Sequence, residues 1–268
     1  MTPPARHRDL IAAEWLKLWS LRSTPWSLAI AALTVVAFNA LAAHDQYRAW
    51  PRYEAADRAR FIASGMALQS TFTGNAAMIL MLAVGAIGAV TVVGEYSTGA
   101  IRTTFAAVPA RGSVLAAKAT VVTAVTTALG VLVSAASFAL ARTIMSGRDI
   151  PLPLDDPATQ RLLVSSALLA PLSALIGMAT AVLIRHGPTT MLTVFTVALL
   201  LPLVLSDDHH WSAVLDHLTP YMAWSRLSQP DAEMVPYPWT VGGAWTVFAG
   251  WAVASALLTV TVVRYRDQ

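Results

Sequence analysis

The chain has 268 residues, 56% of them hydrophobic and 12% charged, with a net charge of +3 and a mean hydropathy of +0.58. A soluble domain carries about 25% charged residues, so this density excludes a water-soluble globule. The absence of cysteine excludes a disulfide framework or a thiolate metal site, and the basic residues are too scattered to form a nucleic-acid surface.

Residues 1–7 are expected to fray. From Arg8 to Arg22 the pattern is helical, with Ile11, Trp15, Leu18 and Trp19 on one face and Asp9, Glu14 and Lys17 off it. Tryptophan on an apolar face among basic residues suits a helix lying in a membrane interface. A cleaved signal peptide is the alternative, because Ala40-Leu41-Ala42 fits a small-residue cleavage site; the long charged region before it and the apolar runs after it oppose that reading.

Uncharged runs fall at Ser23–Ala43, Phe61–Gly94, Ala119–Ala141, Leu162–Ile184, Gly187–Ser206 and Met234–Val263. Each supplies the roughly 20 residues that cross a hydrocarbon core of about 30 Å. They predict an all-α integral membrane protein forming a single domain over 1–268, with six spans near 26–43, 72–93, 119–141, 162–184, 187–206 and 240–263. His44–Arg60 and Arg142–Arg161 are expected to be solvated loops, and Phe61–Thr71 an extension of the second helix.

Gly85 and Ala89 offer a small-residue face for close helix approach, and Pro171 is expected to kink span 4. The threonines of span 3 are expected to bond their own helix backbone, with a polar pathway lining as the other reading. Only Arg185-His-Gly-Pro188 separates spans 4 and 5. The interval 207–239 carries Asp207, Asp208, His209, His210, Asp216 and His217 without helical metal-ligand spacing, and reads as a solvated face. Tyr221, Trp224, Tyr237 and Trp239 are expected at an interface belt, and Arg264 and Arg266 as an anchor after span 6. With both termini inside, lysine and arginine number 10 inside against 8 outside, a weak form of the positive-inside pattern.

The polar interval Gly94–Lys118 is more structured than a connector. Ser97, Thr98 and Gly99 interrupt the helix, Ile101–Ala107 suffices for about two turns, and Pro109 pushes Val108 out of the helical region. Glu95 stands at the C-terminal end of a span, against the negative end of the helix dipole. It therefore needs a cation, for which Arg102 is one candidate, or the backbone N–H groups from Thr98 to Ile101. Ile101, Phe105 and Val108 share one face of the short helix, with no evident apolar partner within the loop; an exposed docking stripe is expected, and folding back of Ile101 and Phe105 onto the membrane surface or the N-terminal helix is the alternative.

The run GEYSTGAIRTTFAAVPAR resembles the loop after the second span in ABC-2-type permeases of actinobacterial exporters, through Glu95, Gly99, Ile101 and Arg102. The N-terminal EWLKLWSLRSTPW and the six-span layout are similar more loosely. The resemblance implies an N-terminal elbow helix and a cytoplasmic coupling helix that docks on a separate ABC ATPase through Glu95, Thr98, Gly99, Ile101, Arg102, Phe105 and Pro109. It also implies a bacterial plasma-membrane location with both termini cytoplasmic, and pairing as a homodimer or heterodimer with a second permease.

No segment encodes nucleotide chemistry. Gly112–Ala119 lacks the second glycine of a phosphate loop and the hydroxyl after its lysine, and no hydrolase or zinc-protease motif occurs. No cofactor is expected, and any ATP hydrolysis belongs to another chain. The spans lack acids and bases away from their ends, which disfavours a secondary transporter. A non-transporting membrane scaffold of a sensor or immunity module is the other alternative.

Overall fold

The computed structural model describes residues 6–108, 110–205, 209–229 and 237–266. Regular structure among these residues is helical throughout. Helix α1 (His7–Ser20) bends at Leu21 into α2 (Ser23–Ala49), which ends in a 3-10 turn (Trp50–Arg52). Two short helices, α3 (Ala55–Ala63) and α4 (Met66–Gln69), precede α5 (Gly74–Ser97). Then come α6 (Ala100–Ala107), α7 (Arg111–Ser146) and α8 (Pro157–Ile184). Helix α9 (Gly187–Phe195) continues through a π-helical turn (Thr196–Leu200) into α10 (Leu201–Val204), and α11 (His210–His217), α12 (Pro220–Ser228) and α13 (Val241–Arg266) follow.

Among the described residues, five helical stretches are long and apolar enough to cross a membrane: Ser23–Arg52, Met66–Ser97, Arg111–Ser146, Pro157–Ile184 and Val241–Val263. This is the all-α architecture of a multi-pass membrane protein. The expected fifth span, 187–206, differs from the rest. Its apolar part, Gly187–Leu200, is shorter, and a π turn interrupts it where the Leu201 N–H bonds Thr196 O, five residues back. Pro202 has no N–H to offer Ala198, so the regular ladder cannot continue through this turn.

Helix α8 is the centre of the bundle, packed by α5, α7, α9, α12 and α13. In its most apolar window 72% is buried, against 22% for α13. Glycines make the close approaches. A Cβ on Gly177 would lie 1.9 Å from Gly85 O and 3.0 Å from Ala89 N, and one on Gly88 would lie 2.2 Å from Ala174 O. The Gly85/Ala89 face is therefore the seam against α8. Between α7 and α8, a Cβ on Gly130 would meet Ala167 O at 2.0 Å. That carbonyl sits four residues before Pro171, which supplies no N–H to it. In lipid such freed groups are tolerated where a neighbouring helix covers them.

Hydroxyls behave as expected along α7. Thr120, Thr126 and Thr127 bond Ala116 O, Val122 O and Thr123 O, while Ser134 crosses to Leu163 O on α8. Asn39, fully buried in α2, donates to Ser137 Oγ and accepts from the backbone and hydroxyl of Thr73, the N-cap of α5. One amide thus ties α2, α5 and α7.

The expected loops are more ordered than charge alone implied. His44–Ala49 continues α2, and Trp50 and Phe61 bury themselves edge to face, 5.7 Å apart. Phe61–Thr71 is not an extension of α5. Gly65 adopts φ +71°, which breaks the helix, and Thr73 is extended, accepting from Ala76 N to start α5 afresh. In 142–161, α7 runs on to Ser146, Ile150 and Leu152 are buried, and Asp156 caps α8. Trp224 is no interface residue: it is 2% exposed and donates to Ser166 Oγ at 3.0 Å. Trp239 stacks on His217, with ring centroids 4.5 Å apart.

Gly177→Ala should therefore lower stability by about 1–3 kcal/mol, the usual range for overpacking a close contact. Gly250, where an added Cβ would meet nothing within 4 Å, should accept alanine without loss. Thermal unfolding of both variants in lipid nanodiscs checks the contrast; equal midpoints would contradict the seam.

Candidate functional site

The chain contains two lysines, and both meet both of the glutamates near them in one ion set. Lys17 Nζ of α1 lies 2.7 Å from Glu14 Oε1 and 3.1 Å from Glu95 Oε1. Lys118 Nζ of α7 bonds Glu14 Oε2 and lies 3.0 Å from Glu95 Oε1. The Glu14 and Lys118 side chains are 4% and 6% exposed, and Glu95 15%. Two cations face two anions, so the set is neutral as a whole, and α1 is fastened to the last turn of α5 and the N-terminal part of α7.

The cation of Glu95 is thus a lysine from each of two other helices, rather than Arg102, which is exposed to solvent. The reason is geometric. Gly99 takes φ +72° and starts α6 on a new course, carrying Arg102 to its exposed side. Ser97 and Thr98 both turn their hydroxyls back to Gly94 O, a carbonyl of the last turn of α5. Val108 is extended at φ −129°, ψ 97°, as the residue before proline should be; Pro109 itself lies outside the described residues.

The apolar stripe of α6 has a partner inside the molecule. Ile101 is buried, and Phe105 and Val108 pack on Leu10, Val114 and Ala117, with Ile11 beside them. Arg111 sits over the Phe105 ring, 5.4 Å from its centroid. The side of α6 left in solvent carries Arg102, Thr103, Ala106 and Ala107. The stripe is therefore not open: Phe105 and Val108 fold back onto the N-terminal helix, the alternative to a free docking face, and onto α7 as well.

Helix α1 is also turned relative to the expectation. Its buried face is Leu10, Glu14 and Leu18, whereas Trp15 and Trp19 are 47% and 41% exposed, ring to ring at 5.6 Å. Of the four residues assigned to one face, Leu18 and Ile11 turn partly or wholly to the bundle, and the tryptophans face out. Glu14 and Lys17, off the apolar face, anchor the helix to the bundle. A signal was present in the sequence: lysine is rare here against sixteen arginines, so its two occurrences beside glutamates or at a span end were not arbitrary.

Nearby, Arg185 adopts φ +58° after α8 and stands over Tyr96, 5.0 Å from the ring centroid. The ends of α5 and α8 therefore meet at the same edge as the ion set. Asp207 and Asp208 lie outside the described residues, and among the described ones no three metal-ligating side chains converge. No protein-family model matches this chain, and no curated protein matches it.

Burial alone would lower the Lys17 pKa, but its bonds and attraction to Glu14 and Glu95 outweigh burial and raise it above the ordinary 10.5. A raised folded-state value means that this contribution to α1 docking is complete below about pH 10.5 and fades as pH climbs through the higher folded value. Fluorescence of Trp15 and Trp19 should accordingly hold from neutral pH to the ordinary lysine range and change only beyond it.

Lys118→Met leaves Glu14 buried with one cation fewer, a change that typically costs about 3–5 kcal/mol. The double variant Lys118→Met/Glu14→Gln should recover much of that loss. Limited proteolysis of α1 across the double-mutant cycle measures the coupling, and additive losses would show that the pair does not act as a unit.

Proposed function

We propose that the chain is the membrane-spanning permease subunit of an ATP-driven exporter of the ABC-2 type, working with a separate ATPase chain. The observation that carries this reading is the anchored α6. A two-turn helix sits at the end of the bundle, held by its apolar side to α1 and α7 and bounded by the ion set at Glu95. A mere connector has no need of such fastening. The Glu95, Gly99, Ile101 and Arg102 pattern on it is the part that resembles the permease family, and no segment of this sequence is large enough for a nucleotide-binding domain beside the helices.

On this reading α1 is the elbow helix, with Trp15 and Trp19 in the interface of the inner leaflet. The stretch 187–204 completes six spans as the fifth in chain order: 18 helical residues at 1.5 Å each cover about 27 Å, close to a hydrocarbon core. Its outward side chains are apolar, with Leu192, Phe195 and Leu203 exposed by 64%, 42% and 74%. Six crossings put both termini in the cytoplasm of a bacterial cell, and the thinly covered α2 and α13 are left for lipid or a second permease.

The ATPase would meet the solvent side of α6, at Arg102, Thr103 and Ala106. Phe105 acts from beneath, by holding α6 to α1 and α7. Secondary transport is the weaker reading, because the buried acids Glu14 and Glu95 are paired with lysines at the helix ends rather than poised along a path.

The deciding experiment is ATP hydrolysis by the partner ATPase with and without this chain in nanodiscs. Arg102→Glu and Ala106→Trp should abolish stimulation while leaving thermal stability unchanged. Phe105→Ala should lower both. Full stimulation by the first two variants would place the contact elsewhere, and no stimulation by the wild-type chain with its ATPase would favour a scaffold. Reporter fusions at Asp149 and after Gln268 should read opposite sides of the membrane; the same side at both would remove the six-span topology.

A further inference from the structure

Helix α11 has its two sides reversed for a helix in water. Trp211, Val214, Leu215 and Leu218 share one face and are 66%, 45%, 47% and 52% exposed. The opposite side, Ser212, Ala213 and Asp216, is buried against the protein. A helix on a solvated surface hides its apolar stripe and shows its polar one. Here the exposed stripe carries no charge, and the Trp211 indole is its one hydrogen-bonding side chain. The polar groups lie on the protein side: Ser212 donates to His209 O at 2.9 Å, and buried Thr219, just past the helix, starts α12 by accepting from Met222 N.

Hydrogen bonds to the long helices set the depth at which α11 ends. Arg161, near the start of α8, donates to Leu227 O and Gln229 O, whereas Ser166, further along α8, accepts from Trp224. Helix α12 thus runs antiparallel to α8, and its first residue, Pro220, is its deepest in the bundle. Trp251 donates to Leu218 O at 2.7 Å. That tryptophan is ten residues into α13, about 15 Å below the start of the helix. Its indole leans back toward that start, yet the end of α11 still lies below the rim of a membrane-capable helix. The 26 residues of α13 extend about 39 Å, more than a hydrocarbon core of about 30 Å. A level beneath its end is therefore the boundary between headgroups and acyl chains.

We infer that α11 is a lipid-facing helix of the leaflet away from the ion set, with Trp211, Val214, Leu215 and Leu218 resting on acyl chains just under the headgroups. This part of 207–239 is then membrane-covered rather than the solvated face that its acids and imidazoles suggest. Lipid is the occupant because the stripe is uncharged, opens with a tryptophan and ends below the rim of the bundle, where a protein arriving from water would first have to displace headgroups. The inference needs a multi-pass membrane fold, but neither the ATPase nor a second permease.

The chain has no cysteine, so single nitroxide labels report each position by power-saturation EPR in lipid nanodiscs, with oxygen as the lipid-soluble relaxant and a nickel chelate as the water-soluble one. Val253→Cys, 58% exposed within α13, is the lipid reference, and Asp57→Cys, exposed on α3, the water reference. Labels at Leu215→Cys and Val214→Cys should be relaxed more by oxygen than by nickel, as at Val253→Cys. If one of the two does not fold, judged by its thermal midpoint, the other decides. Relaxation by nickel above oxygen would overturn the inference in favour of a solvated face. Protection from both relaxants would overturn it in favour of a protein cover, either a second copy or another chain. Val214→Asp/Leu215→Asp should also lower the thermal midpoint in nanodiscs, because it brings two carboxylates to the acyl boundary; an unchanged midpoint would count against lipid contact.

Discussion

The edge of the bundle that carries α6 depends on the mutual neutralisation of Glu14, Lys17, Glu95 and Lys118. Removing any one of these charges from water is costly, and attraction inside the protein repays the cost only when partners are close and fully engaged. Here Glu14 takes a lysine on each carboxylate oxygen, and Glu95 receives both lysines on Oε1. Such a set contributes modestly to stability compared with apolar packing, but it accepts one arrangement of α1, α5 and α7. Burial of Leu10, Leu18, Val114 and Ala117 around it supplies the adhesion. The charges supply the register.

A second constraint propagates that register. Gly85, Gly88 and Gly177 bring the backbones of α5 and α8 nearly into contact, and Gly130 does the same for α7 against α8. Helices packed this closely cannot slide without clashes, because interiors have no slack of that size. Helix α5 is therefore held as one rigid element, with Glu95 in the ion set at its last turn and Gly74 close under Tyr221 at its first.

The membrane-capable helices were legible from uncharged runs, because lipid admits few other sequences. The start and end of α6 were legible too, since Gly99 and the residue before Pro109 act through local sterics. The small-residue seam at Gly85 and Ala89 was likewise readable from spacing. What escaped was set by contacts across the sequence. Glu95 finds Lys17, 78 residues away, and Glu14 finds Lys118 across 104 residues. No periodicity in either segment announces such pairs. Only part of the α1 face was legible: Trp15 and Trp19 do point outward, but Leu10, Glu14 and Leu18 turn to the bundle, where contacts remote in sequence hold them. Trp50, Phe61 and Trp224 were lost among charged and proline-rich segments, where a buried aromatic leaves no pattern.

The turning of α6 alters what a partner can recognise. A stripe of Ile101, Phe105 and Val108 would offer an apolar anchor, and docking would follow burial of area. With that stripe spent on α1 and α7, the outward side presents one guanidinium, one hydroxyl and two methyl groups: Arg102, Thr103, Ala106 and Ala107. Small side chains let a partner helix or groove come close, and an arginine pairs best with a carboxylate placed to accept two of its N–H groups. Recognition then rests on fit and one directed ion pair. On the proposed permease reading, such a contact is weaker per unit area than an aromatic anchor, and the apolar underside of α6, fixed to α1 and α7, is what would carry it to the bundle.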